Sequence, residues 1–181
     1  MGFLQLKMEL EEIEPKIWRR FIVGDSINFH KLHETVQTIM GWKNYHLYEF
    51  DINNTKIGLI DEDTEYDIKD SKKIKLSGYL LGLKQNFNYL YDFGDGWECN
   101  LVVEKILDNL PEHVGEVPFC LGGERAGPHE DCGGIGGYER FLEIFETGKD
   151  PWGEDVKELK EWVGDWKPEN FNITKINKEL K

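Results

Sequence analysis

The sequence holds only three cysteines, Cys99, Cys120 and Cys132, an odd number with no CxxC pair among them. That excludes a disulfide-built scaffold and predicts free thiols in a reducing compartment. Positive charge is also scarce: 22 Lys and Arg stand against 35 Asp and Glu, for a formal net charge of −13. This balance opposes non-specific attraction to phosphate backbones and anionic lipid. The one basic cluster, Lys16 to Arg20, is short, and on a strand it would send Arg19 and Arg20 to opposite faces. No apolar run is long enough to span a bilayer. The first residues lack the basic start, apolar middle and small-residue cleavage site of a secretory leader. A cytoplasmic setting with no membrane partner is the expectation. The GK[ST] of a P-loop and the GxSxG of a nucleophile elbow are missing as well.

What is present suits one folded domain. The chain has 181 residues, 39% of them apolar, with six Trp and ten Phe to fill a core. Leu4, Leu6, Met8 and Leu10 alternate with polar residues, which reads as a half-buried strand. Ile17 to Val23 reads as a second strand. Phe29, Leu32, Val36 and Ile39 fall at helical spacing between an Asn28 N-cap and a Gly41 stop. Strand, strand, helix predicts an α+β fold with a mixed, mainly antiparallel sheet, roll or β-grasp-like. Trp42 to Phe50, aromatic or apolar on both faces, reads as a buried strand, and Lys56 to Ile60 pairs with it across Asn53-Asn54. Asp61 to Asp70 reads as a solvated acidic loop with room for a short edge strand, and Ser77 to Leu81 as a single helical turn. Phe87 to Phe93 and Trp97 to Val103 alternate on either side of Gly94-Asp95-Gly96, the clearest hairpin in the chain. Residues 108–137 show no period and read as a long loop, a feature that is often functional. From about residue 137, three helices are predicted: Tyr138 to Phe145, Val156 to Val163, and Ile173 to Leu180 with an Asn172 cap.

The stretch from Tyr91 to Tyr138 carries the candidate chemistry. Its glycine-rich segment Gly133-Gly134-Ile135-Gly136-Gly137 opens a helix, yet no strand leads into it and Glu130 and Asp131 would repel phosphate. Cys99, Cys120, Cys132, His113, His129, Glu130 and Asp131 could supply three or four metal ligands, with Cys120, His129 and Cys132 the leading set, for which zinc would be suited. Their spacing matches no standard zinc pattern, and the alternative is a pair of buried packing thiols and a surface histidine. Asp92, Asp95, Glu98, Glu124, Glu130 and Asp131 surround one cation, Arg125, so carboxylate acid–base chemistry and a structural ion pair both remain open. His33 and His46 read as core or boundary histidines. Tyr89, Tyr91, Phe93 and Trp97 read as hairpin core in preference to a base-stacking platform, given the charge.

Taken together, the motifs resemble a known family. Pro15-x-Ile17-Trp18-Arg19-Arg20, Leu32-His33, Gly41-Trp42 and His46-Leu47 are similar to the N-terminal signature of the plasmid pRiA4b ORF-three-like family. Tyr91-Asp92-Phe93-Gly94-Asp95-Gly96-Trp97 and Gly122-Gly123-Glu124-Arg125-Ala126 match its most specific motifs, and Trp166-x-Pro168-Glu169-x-Phe171 fits its ending. The resemblance implies a single α+β domain over residues 1–181, found in plasmids, transposon passenger genes and many genomes, without an established activity. Two departures stand out: Gly127 where the family often has Cys, and Cys99 where it often has His.

The resemblance further implies that the hairpin turn and the Gly-Glu-Arg loop meet in space. The expected site is the groove between them, with Asp92, Asp95, Trp97, Glu124, Arg125, Glu130, Asp131 and Tyr138 as binding residues and Asp92 or Asp131 as the partner of Arg125. The expected role is a binding or accessory module for an unknown protein or small molecule, with no cofactor unless zinc. A metal-dependent or carboxylate-based enzyme in the same groove is the alternative. A nucleic-acid accessory of transposition is the third reading, and the charge opposes it.

Overall fold

The structure, a computed structural model, describes residues 2–60, 67–79 and 82–181. Its frame is one eight-stranded sheet. In chain order the strands are β1 (Phe3–Leu10), β2 (Trp18–Gly24), β3 (Tyr48–Ile52), β4 (Thr55–Gly58), β5 (Lys69–Asp70), β6 (Asn86–Tyr91), β7 (Trp97–Leu107) and β8 (Phe119–Glu124). Across the sheet they run β5-β4-β3-β6-β7-β1-β2-β8. Every pairing is antiparallel except β4 with β5. The helices are α1 (Phe29–Met40), α2 (Gly134–Thr147), α3 (Val156–Val163) and α4 (Ile173–Glu179). This is the expected α+β class.

Alternation decides which face of the sheet is covered. Leu4, Leu6, Met8 and Leu10 of β1, with Cys99, Leu101 and Val103 of β7, are buried in one core cluster. The apolar stripe of α1, Phe29, Leu32, Val36 and Ile39, belongs to the same cluster, and Phe29 meets Phe50 edge-on at 5.1 Å. Burying each such side chain contributes about 1.5–3 kcal/mol. The other face is polar: Arg20 clamps Glu104 through two hydrogen bonds of 2.6 and 2.8 Å, and Gln5 donates to the same carboxylate at 2.8 Å. The ends of α1 follow from its flanks. Asn28 Oδ1 accepts the Lys31 amide at 2.8 Å, and Gly41, at φ +80°, turns its amide back onto Gln37 and Thr38.

Three expectations need correction. Trp42 to Leu47 is a loop, and only residues 48–52 form the strand. Its amides are satisfied by distant side chains: Asn44 donates to Gln37 Oε1 at 2.9 Å and Tyr45 to the Tyr91 hydroxyl at 3.1 Å. Residues 108–137 are not all loop, because β8 pairs with β2 at the sheet edge. A Cβ at Gly123 would sit 2.7 Å from the Trp18 carbonyl, so glycine permits that close pairing. Finally, α2 starts at Gly134, before Tyr138. Of the acidic loop, residues 61–66 lie outside the described residues, as do Leu80 and Leu81 of the predicted helical turn, which covers Leu76–Tyr79.

Candidate functional site

The β6–β7 turn meets the loop before α2 at Gly133 and Gly134, whereas the Gly-Glu-Arg segment expected beside it lies along and after β8, against β2. The turn starts at Asp92, whose φ is +56°. Its carbonyl accepts the Gly96 amide at 2.6 Å, and its Oδ1 accepts the Gly94 amide at 3.0 Å. Asp95 Oδ2 then accepts the Gly133 amide at 3.2 Å, placing a carboxylate at the N-terminus of α2. A Cβ on Gly134 would come within 2.6 Å of the Asp95 carbonyl. That glycine, at φ +66°, lets helix and turn touch.

A third segment completes the junction. Glu130 is buried and accepts the Lys43 amide at 2.5 Å and the Tyr91 hydroxyl at 3.0 Å. Trp42 Nε1 donates to the Pro128 carbonyl at 3.1 Å. These bonds hold the 42–47 loop against the 128–131 loop and carry His46 to the mouth of the hairpin turn. His46 Nε2 lies 2.8 Å from Asp131 Oδ1 and 3.6 Å from Asp92 Oδ2. Among the described residues, His46, Asp92 and Asp131 are the one group of three or more His, Cys, Asp or Glu whose ligand atoms lie within 4.8 Å of one another. Asp92 is buried, His46 half-buried and Asp131 exposed. Asp131 also has positive φ, +57°. Two non-glycine residues at the site thus hold a conformation that L side chains disfavour.

The other expected residues are distributed elsewhere. Trp97 is buried in the core, 1% exposed, while Glu124 ends β8 with its side chain exposed. Cys120, His129 and Cys132 do not converge. The Cys120 thiol faces the Gly122 carbonyl and the Cys132 thiol the Gly134 carbonyl. His129 packs its ring on Trp162 with centroids 4.6 Å apart. Burial pushes the Cys132 thiol up to about 12. Arg125 pairs with Glu169, not with Asp92 or Asp131. Gly127 has no room for a side chain, since a Cβ would fall 2.3 Å from the Met40 carbonyl. The basic cluster is spoken for: Arg19 is buried and donates to the carbonyls of Ile39, Trp18, Glu124 and Arg125 at 2.6–2.8 Å, while Arg20 serves Glu104.

His33 sits in the core and His46 at its boundary, both as expected. His33 is wholly buried, bonded through Nδ1 to the Tyr89 hydroxyl and through Nε2 to Asn44 Oδ1, both at 2.7 Å. His46, half-buried, faces Asp131 and Asp92.

The family model described as plasmid pRiA4b ORF-3-like protein matches residues 2–175. The chain belongs to this family. It is 37% identical to the uncharacterized protein y4hQ of Sinorhizobium fredii (strain NBRC 101917 / NGR234), covering 98% of this chain and 90% of that one. The crystal structure of MM3350 from Methanosarcina mazei Go1, a protein of unknown function, superimposes with a TM-score of 0.83 at 36% identity, over 96% of both chains. The fold of this chain is therefore also seen in a crystal structure. Among the described residues no helix is long and apolar enough to cross a membrane.

Proposed function

We propose that this pRiA4b ORF-3-like protein is a binding module whose site, where hairpin turn and loops meet, is centred on a divalent cation held by His46, Asp92 and Asp131. The observation that carries this reading is the convergence of one imidazole and two carboxylates from three separate chain segments. Ligand atoms about 2.1 Å from a metal, at tetrahedral or octahedral angles, stand about 3.0–3.4 Å apart. The 2.8 and 3.6 Å separations from His46 Nε2 bracket that span. A nitrogen with two oxygens suits zinc, manganese or nickel, and the net charge of −13 draws cations to the surface.

The exposed positions leave coordination sites for a ligand. Tyr45, Leu47 and Phe93, all exposed, flank His46 and Asp92 in sequence and offer apolar surface beside the cation. An accessory role on a mobile element is the biological setting that the family name suggests.

Elemental analysis of protein purified without chelator or affinity metal tests the reading. About one transition metal per chain is expected, and it should be lost in His46→Ala and Asp131→Asn while Cys120→Ser retains it. Metal-free protein that takes up none of these ions on addition would overturn the proposal.

A further inference from the structure

The apolar rim of the His46 cluster projects into solvent. Tyr45, Leu47 and Phe93 are 66%, 51% and 48% exposed. Tyr45 and Leu47 flank His46, and Phe93 follows Asp92. The backbone holds the two segments side by side. Beyond the last β3–β6 pair, Tyr48 with Tyr91, the Asp92 amide donates to the Leu47 carbonyl at 3.0 Å. The loop is fixed at two further points, the Lys43 amide on Glu130 and the Tyr45 amide on the Tyr91 hydroxyl. These side chains therefore stand on a pre-ordered backbone, which spares a ligand part of the ordering cost.

Shape and charge narrow the occupant. A small-molecule site wraps its ligand in a concavity, whereas projecting side chains cover one side only and suit a chain laid across them. Asp92 and Asp131 already balance a divalent cation, so a further donor need carry no charge. Lys43 over the Tyr45 ring, 5.7 Å from its centroid, does little against a net charge of −13. A second copy of this chain would bring the same negative charge and be repelled, while a basic partner is attracted. Imidazole is a neutral donor for the same metals.

We propose, on the reading that His46, Asp92 and Asp131 hold a divalent cation, that the site binds a basic peptide segment of a partner protein. A histidine of that segment completes the coordination through a ring nitrogen. An apolar side chain next to it packs on Tyr45, Leu47 and Phe93, and flanking lysine or arginine meets the acidic surface.

The test is calorimetry of the full chain loaded with zinc, with the end-blocked peptide Lys-Phe-His-Phe-Lys as probe. A Kd of about 100 μM is expected. Binding should weaken about tenfold or more when alanine replaces the peptide's histidine, when glutamate replaces its lysines, and when the protein is metal-free. Leu47→Ser and Phe93→Ser, at exposed positions that supply no ligand to the cation, should weaken it several-fold with zinc content unchanged. No binding by protein that holds its zinc, equal binding of the alanine or glutamate peptide, or full binding by both serine variants would each overturn the proposal. Failure to take up zinc at His46 would instead overturn the cation reading, and this proposal with it.

Discussion

The Tyr91 hydroxyl donates to the buried Glu130 carboxylate at 3.0 Å while accepting the Tyr45 amide at 3.1 Å. One phenol thus ties strand β6 to both loops that build the site. Tyr91→Phe removes both bonds and leaves the Tyr45 amide without its partner. A loss of about 1–3 kcal/mol is predicted, read from the urea midpoint, together with weaker cation binding because the 42–47 loop loosens. An unchanged midpoint would show that the phenol does not hold the junction.

The His33 network sets a pH dependence. Burial lowers the His33 pKa from 6.5 to about 4, so the folded protein keeps a neutral ring where the unfolded chain would protonate it. Stability from this source is fully present above about pH 6.5 and declines as pH falls towards 4, by up to about 3 kcal/mol. Chemical denaturation between pH 7 and 5 should show the decline, and His33→Gln should flatten it. A wild-type profile flat across that window would contradict the assignment.

Asp131 separates binding from stability. Glycine at that position relieves a positive φ, offsetting the loss of an exposed pair with His46. Asp131→Gly should therefore keep thermal stability within about 1 kcal/mol of wild type while abolishing cation uptake. A large loss of stability would make Asp131 a structural residue instead.

Gly127 is a contact point. Its carbonyl accepts the Trp166 indole at 2.8 Å, and a Cβ there would press on the Met40 carbonyl at the end of α1. Gly127→Ala should cost about 1–3 kcal/mol. A variant as stable as wild type would show that the loop can move aside.

Local pattern made much of the fold legible. Asn28 and Gly41 bounded α1, Asn53-Asn54 made the β3–β4 turn with both residues at positive φ, and alternation on either side of Gly94 to Gly96 made the β6–β7 hairpin. What was not legible depended on distant partners. Aromatic density suggested a strand at Trp42 to Leu47, but side chains of Gln37, Tyr91 and Glu130 satisfy its amides and hold it as a loop. Strand β8, with Gly122 and Gly123, has little strand propensity and forms because glycine can lie close against Trp18. Family-like motifs pointed to a meeting of the turn with the Gly-Glu-Arg loop, whereas the turn meets residues 131–134, brought there by the start of α2. His46 in that meeting was hidden, because a histidine among aromatics looks like core until the loop carries it to Asp92 and Asp131. Glu169 as the partner of Arg125 was equally invisible, lying 44 residues away in sequence.

The central claim is that His46, Asp92 and Asp131 hold a cation together, and histidine side-chain NMR tests it most directly. Long-range proton–nitrogen spectra would be recorded on metal-free protein while zinc is added to one equivalent. The account predicts that the His46 Nε2 resonance moves to a metal-bound position and that His33 and His113 do not respond, with the effect lost in Asp92→Asn. Zinc that leaves His46 unchanged, or that reports first at His129, would contradict it.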